Sequence, residues 1–175
     1  MRKLKVTELN RISVEEFKEA QKLPLVVVLD NVRSVYNVGS VFRTCDAFRI
    51  ESIYICGITA QPPQVELHKT ALGAEFTVDW QYYKDTCDAV KSLQEQGYIV
   101  YSVEQAEGST MLKDLQLDKS KKYAIVMGHE VKGVQQEVVD MSDGCIEIPQ
   151  YGTKHSLNVS VTTGIVIWDL FKKLR

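Results

Sequence analysis

The chain has 175 residues, of which 45% are hydrophobic and 25% charged, and its formal net charge is −2. That length suits one domain with a sizeable core, and the charge balance excludes a strongly basic nucleic-acid binder. Local basic faces are still available at Arg2, Lys3 and Lys5, at Lys119, Lys121 and Lys122, and at Lys172, Lys173 and Arg175. Each cluster taken alone reads as surface solubility. Cys45, Cys56, Cys87 and Cys145 form no C-x-x-C pair and sit among apolar residues, which favours free thiols in a reducing cytoplasm over disulfides or zinc. The first residues lack the apolar core of a signal peptide, and no apolar run reaches the length of a membrane span. The expectation is a cytoplasmic protein without a membrane segment.

In chain order, residues 1–24 read as a short, basic, amphipathic segment. Ser13 with Glu16 three residues later matches a capping box, so a helix is expected from about Val14. Phe17 should dock on the body, and Pro24 should end the helix. Leu25 to Asp30 is a continuous apolar run, as expected for a strand covered on both faces. A polar turn, Asn31 to Asn37, leads to a helix over Val38–Phe48. Ser52–Cys56 is a second buried strand. A loop with Pro62-Pro63 precedes a short helix, Glu66–Leu72. A strand is expected over Phe76–Trp80, a helix over Asp85–Gln96 stopped by Gly97, and a strand over Tyr98–Val103. Met111–Leu117 suggests a helical turn. Tyr123–Met127 is a strand, Val134–Met141 a helix and Cys145–Ile148 a last short strand.

Strands and helices alternate, which implies an α/β domain over residues 25–175. Its sheet should be mostly parallel, with about six strands and helices on both faces. Ligands of such sheets sit beyond the carboxyl ends of the strands. The final segment is ambiguous. Val159 to Ile167 is rich in β-branched residues, which favour strands. Leu157, Val161, Gly164, Trp168 and Phe171 nevertheless fall at helical spacing, so the residues leave both structures open.

Three polar, glycine-bearing loops leave strand ends. In the first, Asn37 can cap a helix, Gly39 permits close approach of a backbone or ligand, and Arg43 lies about 6 Å beyond Gly39 on the same helical face. There a guanidinium can hold a phosphate or ribose oxygen, or simply pair with Asp46. In the second, Gly128 and Gly133 bracket Glu130. This suggests a tight turn facing a ligand, or Glu130 in the first turn of a helix. His129-Glu130 lacks the second histidine of H-E-x-x-H, so no metal is expected. In the third, Ser156 and Asn158 can cap a helix or bind a ligand, and Ile148 and Leu157 can line a slot for a flat ring. Tyr151, Lys154 and His155 read as surface residues.

Taken together, N-x-G-x-x-x-R (Asn37, Gly39, Arg43), G-x-E-x-x-G (Gly128, Glu130, Gly133) and Ile148-Pro149 followed by Ser156 to Ser160 resemble the three motifs of the SpoU (TrmH-type) RNA 2′-O-ribose methyltransferases. Order and spacing fit over residues 25–174. The resemblance implies an α/β fold whose C-terminal segment is threaded into a trefoil knot, and it implies a helix for the ambiguous segment. It further implies a homodimer acting on transfer or ribosomal RNA and S-adenosylmethionine bound within the knot. Cofactor contacts would come from Val103, Gly128, Ile148 and Leu157. Arg43 would act on the ribose 2′-hydroxyl, with Asn37, Glu130, Ser156 and Asn158 positioning the groups. Only about 24 residues precede the first core strand, so RNA is expected to be held by the catalytic dimer and the basic N-terminus. A non-catalytic RNA-binding or assembly factor on the same fold is the alternative. A flavodoxin-like nucleotide binder has no positive feature.

Overall fold

The computed structural model describes all 175 residues. Helix α1 (Val14–Glu19) begins at the expected box. Ser13 Oγ accepts from the Glu16 N–H at 3.1 Å, and Glu16 Oε2 accepts from the Ser13 N–H at 2.7 Å. Phe17 is its one buried side chain. The helix stops at Glu19, before Pro24, which belongs to strand β1 (Leu23–Asp30) instead. Pro24 sits at a register shift between Leu23 and Val26, where a missing N–H is tolerated.

Helix α2 (Val35–Ala47) starts at Val35 rather than Val38, because Ser34 and not Asn37 is the cap. Ser34 Oγ accepts from the Asn37 N–H at 3.3 Å, which leaves the Asn37 side chain free for other work. Strand β2 (Ile50–Cys56) and helix α3 (Val65–Ala71) follow. The strand expected over Phe76–Trp80 is replaced by a short helix, α4 (Ala74–Thr77), and strand β3 (Asp79–Tyr83). Leu72 and Gly73 both take positive φ there, at 54° and 97°. The buried Glu75 accepts from the Gly73 N–H at 3.0 Å and pairs with His68 at 2.5 Å. This local turn outweighs the strand propensity of Phe76 to Trp80.

Helix α5 (Thr86–Glu95) is capped by Asp85, and strand β4 (Tyr98–Val103) lies where expected. Strand β5 (Thr110–Met111) is an addition, and the helical turn expected around it is a 3-10 turn at Leu112–Asp114. Strand β6 (Lys122–Met127), helix α6 (Gln136–Met141), strand β7 (Gly144–Glu147) and helix α7 (Val159–Leu174) complete the chain. The sheet has seven strands rather than six, in the order β3-β2-β1-β6-β4-β7-β5. Every pairing is parallel. Helices α2, α3 and α7 pack on one face and α5 and α6 on the other. Because the strands are parallel, all their carboxyl ends lie along one edge. The strand order reverses between β1 and β6, which marks that edge as the place for a ligand.

Helix α7 forms despite its β-branched run. Asn158 caps it, and Val159, Thr163, Val166, Ile167 and Leu170 bury one face. The hydroxyls of Thr162 and Thr163 bond to the carbonyls of Asn158 and Val159 at 3.1 and 2.7 Å, so neither is stranded. Burial decides the conformation here, against propensity. The helical spacing of Leu157, Val161, Gly164, Trp168 and Phe171 is present, but it does not mark the buried face. Val161, Ile165 and Trp168 point outward, at 53%, 39% and 50% exposure.

Gly39 lies where α2 crosses α3. A β-carbon there would stand 2.1 Å from Thr70 Oγ1 and 2.4 Å from the Leu67 carbonyl oxygen. Backbone approach, not ligand approach, accounts for this glycine. Gly39→Ala should therefore lower the unfolding free energy by about 1–3 kcal/mol, read from urea denaturation. An unchanged midpoint would show that the two helices separate at no cost.

Candidate functional site

The carboxyl ends of β4, β6 and β7 open into a cavity of about 830 Å³. Val103 ends β4, Met127 ends β6 and Gly128 follows it, and Ile148 follows β7; all four line the cavity together with Glu130, Ser156 and Leu157. Its size is that of a small-molecule site. Val103, Ile146, Ile148, Leu157 and Val159 give it apolar surface. None of the backbone N–H groups from Gln150 to Leu157 donates to another backbone group of the chain, so the third loop offers a run of donors beside this cavity. A ligand with a flat ring and polar ends fits that combination.

Glu130 is the junction of the three loops. Its Oε2 accepts from the Arg33 N–H at 2.8 Å, and its Oε1 from the Ser34 N–H at 2.8 Å and from Asn37 Nδ2 at 3.0 Å. Asn158 Nδ2 donates to Asn37 Oδ1 at 3.1 Å. Asn158 Oδ1 meanwhile caps α7 by accepting from the Ser160 and Val161 N–H groups. Asn37 thus uses both ends of its amide, one toward each of the other two loops. Burial pushes the Glu130 carboxyl upward, but the three donors together outweigh it and hold its pKa below the ordinary glutamate value.

Glu130 does not sit in the first turn of a helix, since α6 begins only at Gln136. It lies in a tight turn closed by His129 and Gly133, whose backbone groups bond reciprocally at 3.0 and 2.8 Å. A β-carbon on Gly128 would meet Gly133 and Val134 backbone at 2.2 Å. Gly128 is thus required by the turn itself. A bulky change there would disturb folding and cavity together, so it cannot isolate ligand contact.

The structure does not bring Arg43 to this cavity. Arg43 is exposed and lines a separate groove with Ser40, Thr44, Ala47, Phe48, Lys69 and Thr70. Asp46 makes no ion pair with it and instead accepts from Thr77 Oγ1 at 2.6 Å. Ser156 is exposed at the cavity wall. Sequence reasoning also missed two carboxylates. Asp30, fully buried at the end of β1, accepts from Thr86 Oγ1 at 2.6 Å and from the Gln135 N–H and Nε2 at 2.8 and 2.7 Å. Glu104, just beyond Val103, lines the cavity and accepts from the Gln105 and Val134 N–H groups at 2.8 and 3.1 Å. An acid placed at the carboxyl end of a buried strand was the signal for both. No group of three or more His, Cys, Asp or Glu side chains is placed to hold a metal ion. All four cysteines are free, with Cys45 and Cys56 buried and Cys87 and Cys145 partly so. No helix is long and apolar enough to cross a membrane.

Comparison with known proteins gives a consistent result. Residues 24–168 match the model of the SpoU rRNA Methylase family. The chain is 30% identical over 163 residues to a tRNA (guanosine(18)-2′-O)-methyltransferase of Thermus thermophilus, covering 93% of this chain and 82% of that protein. It is 28% identical to the Aquifex aeolicus protein of the same name, covering 89% and 72%. Among solved structures, the A. aeolicus TrmH/SpoU tRNA modifying enzyme superposes with a TM-score of 0.79 at 27% identity, over 91% of this chain and 79% of that one. An AdoMet-bound rRNA methyltransferase from Sinorhizobium meliloti gives 0.80 at 28% identity, over 91% and 60%.

The charge on Glu130 can be tested by pH. Because its folded pKa is lowered, the stability it contributes is complete above the ordinary glutamate value of about 4.3 and disappears as pH falls through the lower folded value. Glu130→Gln should be less stable than wild type near neutrality, and the gap should close on acidification. A gap that persists unchanged at low pH would show that shape, not charge, is what the site requires.

Proposed function

This chain belongs to the SpoU rRNA Methylase family, and from that premise we propose how its residues divide the work. The protein is an S-adenosylmethionine-dependent RNA 2′-O-methyltransferase acting on transfer or ribosomal RNA. The observation that carries the reading is the Asn37–Glu130–Asn158 hydrogen-bonded junction, which joins all three motif loops beside one cavity of cofactor size.

S-adenosylmethionine supplies a methyl group already made electrophilic by its sulfonium. Val103, Ile148 and Leu157 hold the flat adenine, and the free N–H groups of the third loop meet polar ends of the cofactor. Gly128 contributes by keeping the second loop's turn tight at the cavity wall. Ser156 is placed to hydrogen-bond cofactor or ribose. Asn37, Glu130 and Asn158 fix the loops relative to one another, which is a positioning role. Arg43 orients the ribose 2′-hydroxyl and stabilises charge near it. A guanidinium titrates too high to serve as an ordinary base.

Arg43 lines a groove separate from its own chain's cavity, so its role requires a second copy. The proposed homodimer pairs the exposed stripe Val161, Ile165 and Trp168 of α7 with its equivalent, burying apolar surface that one chain leaves in water. Each Arg43 then serves the partner's cavity. The catalytic domain is residues 25–175, and residues 1–24 form a short basic segment that aids RNA binding. A trefoil knot at the C-terminus is supported by the sheet order. The segment between β4 and β6 includes β5, which lies on the far side of β7. That segment therefore crosses β7, the strand that leads into α7, on the way to β5 and again on the way back to β6. Four free thiols suit a reducing cytoplasm.

Calorimetric titration should show saturable binding of S-adenosylmethionine. Arg43→Ala should leave that binding nearly intact and reduce methyl transfer by about 10²–10³-fold. Normal turnover by this variant would remove Arg43 from the mechanism, and no cofactor binding by folded wild type would favour a non-catalytic RNA binder. Sedimentation should give twice the 19.8 kDa chain mass. Trp168→Asp should shift the protein toward monomer and lose transfer with it, and a wild-type monomer with full activity would overturn the shared site.

A further inference from the structure

The groove that holds Arg43 contains a second cation, and it carries an inference that rests on the reading of this chain as an RNA enzyme. Lys69 lies in the last turn of α3, and Arg43 on α2. Both line one groove of about 450 Å³ with Ser40, Thr44, Thr70, Ala47 and Phe48. The absence of a side chain at Gly39 is what lets α3 approach α2 this closely, and Thr70 Oγ1 fastens the crossing by donating to the Tyr36 carbonyl oxygen at 2.9 Å.

Neither cation is neutralised. The ion pairs of the chain are Arg2–Glu8, Lys18–Asp79, His68–Glu75, Lys172–Asp169 and Lys173–Asp169, and none includes Arg43 or Lys69. Glu66, one turn before Lys69 on α3, makes no ion pair with it, and two other acids of this region are already engaged. Asp46 accepts from Thr77, and Glu75 accepts from Gly73 and pairs with His68. Two like charges that line the same groove repel each other, and an anion bound between them relieves that repulsion. A phosphodiester suits the position because its two free oxygens can be divided between a guanidinium fork and an ammonium point charge.

We infer that Lys69 and Arg43 together seat a backbone phosphodiester of the substrate RNA beside the ribose that is methylated. Lys69 is thus an RNA-positioning residue on α3, outside the three motif loops. It fixes the register in which the ribose is presented, and leaves cofactor binding to the separate cavity.

The test compares wild type, Lys69→Gln and Lys69→Arg on a pool of unmodified transfer-RNA and ribosomal-RNA transcripts. Lys69 is exposed, so both variants should melt as wild type does. Lys69→Gln should raise KM for RNA on the order of tenfold, the effect of one charged hydrogen bond, with kcat and S-adenosylmethionine affinity little changed. The slope of log binding constant against log salt should fall in magnitude by about 0.7–0.9, the signature of one lost phosphate contact. Lys69→Arg should restore both KM and slope. If Lys69→Gln keeps the wild-type KM and salt slope while wild type methylates RNA normally, the inference is overturned and the enzyme reading stands. If wild type neither binds nor methylates any transcript, both fall together.

Discussion

The Glu130 carboxylate is the constraint on which the site depends. It sits in a hairpin-like turn beyond β6, yet its donors come from residues 33, 34 and 37, almost a hundred positions earlier in the chain. Those donors lie just beyond the end of β1, so the bonds span the point where the strand order reverses. Two of them are backbone N–H groups, one on the Ser34 cap of α2, where helical geometry leaves donors without partners, and one on Arg33 just before it. A carboxylate is the natural group to satisfy them, because the helix dipole and the hydrogen bonds both favour negative charge there. That is why Glu130 stays ionised despite partial burial.

From this junction the rest of the site follows. Once Glu130 holds the Asn37 side chain by one end, its carbonyl oxygen is directed at Asn158, which starts α7. The cap of the last helix is thereby tied to the start of the second. The loop from Gln150 to Leu157 is strung between β7 and that cap, with its backbone donors unused. Glu104 plays a parallel part on the other side of the cavity by bracing Val134 at the exit of the second loop's turn. Asp30 does the same beneath them, joining the end of β1 to α5 and to Gln135. Three carboxylates, each accepting at least one hydrogen bond from a distant segment, thus position loops that have little secondary structure of their own.

The glycines of the motifs have a structural role more than a ligand-facing one. Gly39 clears the crossing of α2 and α3, and Gly128 clears the turn against Gly133. Both act on function at one remove. The first sets the distance between the Arg43 and Lys69 helices, and the second holds the wall of the cavity. The separation of Arg43 from that cavity has the same logic. On the proposed reading, one chain builds a cofactor site and, on another face, a cationic groove for RNA, and association of two chains would let the two meet.

The amino-acid sequence by itself determined the element types over most of the chain. Buried strands announced themselves as continuous apolar runs, and the Ser13–Glu16 box and Gly97 stop are local signals that survive in the structure unchanged. The three polar loops, and the residues within them, were equally legible, because turns and polar loop ends leave a compositional mark. Tertiary structure alone decided the rest. Ser34 rather than Asn37 caps α2 because Asn37 is drawn to Glu130 and Asn158. The β-branched run of α7 is helical because burying Val159, Thr163, Val166, Ile167 and Leu170 outweighs a propensity of a few tenths of a kcal/mol per residue. The strand expected at Phe76 became a helix because Glu75 found partners in Gly73 and His68. Asp30, Glu104 and Lys69 drew no notice in the sequence, since the groups that give each its meaning lie on other segments and only folding brings them within reach.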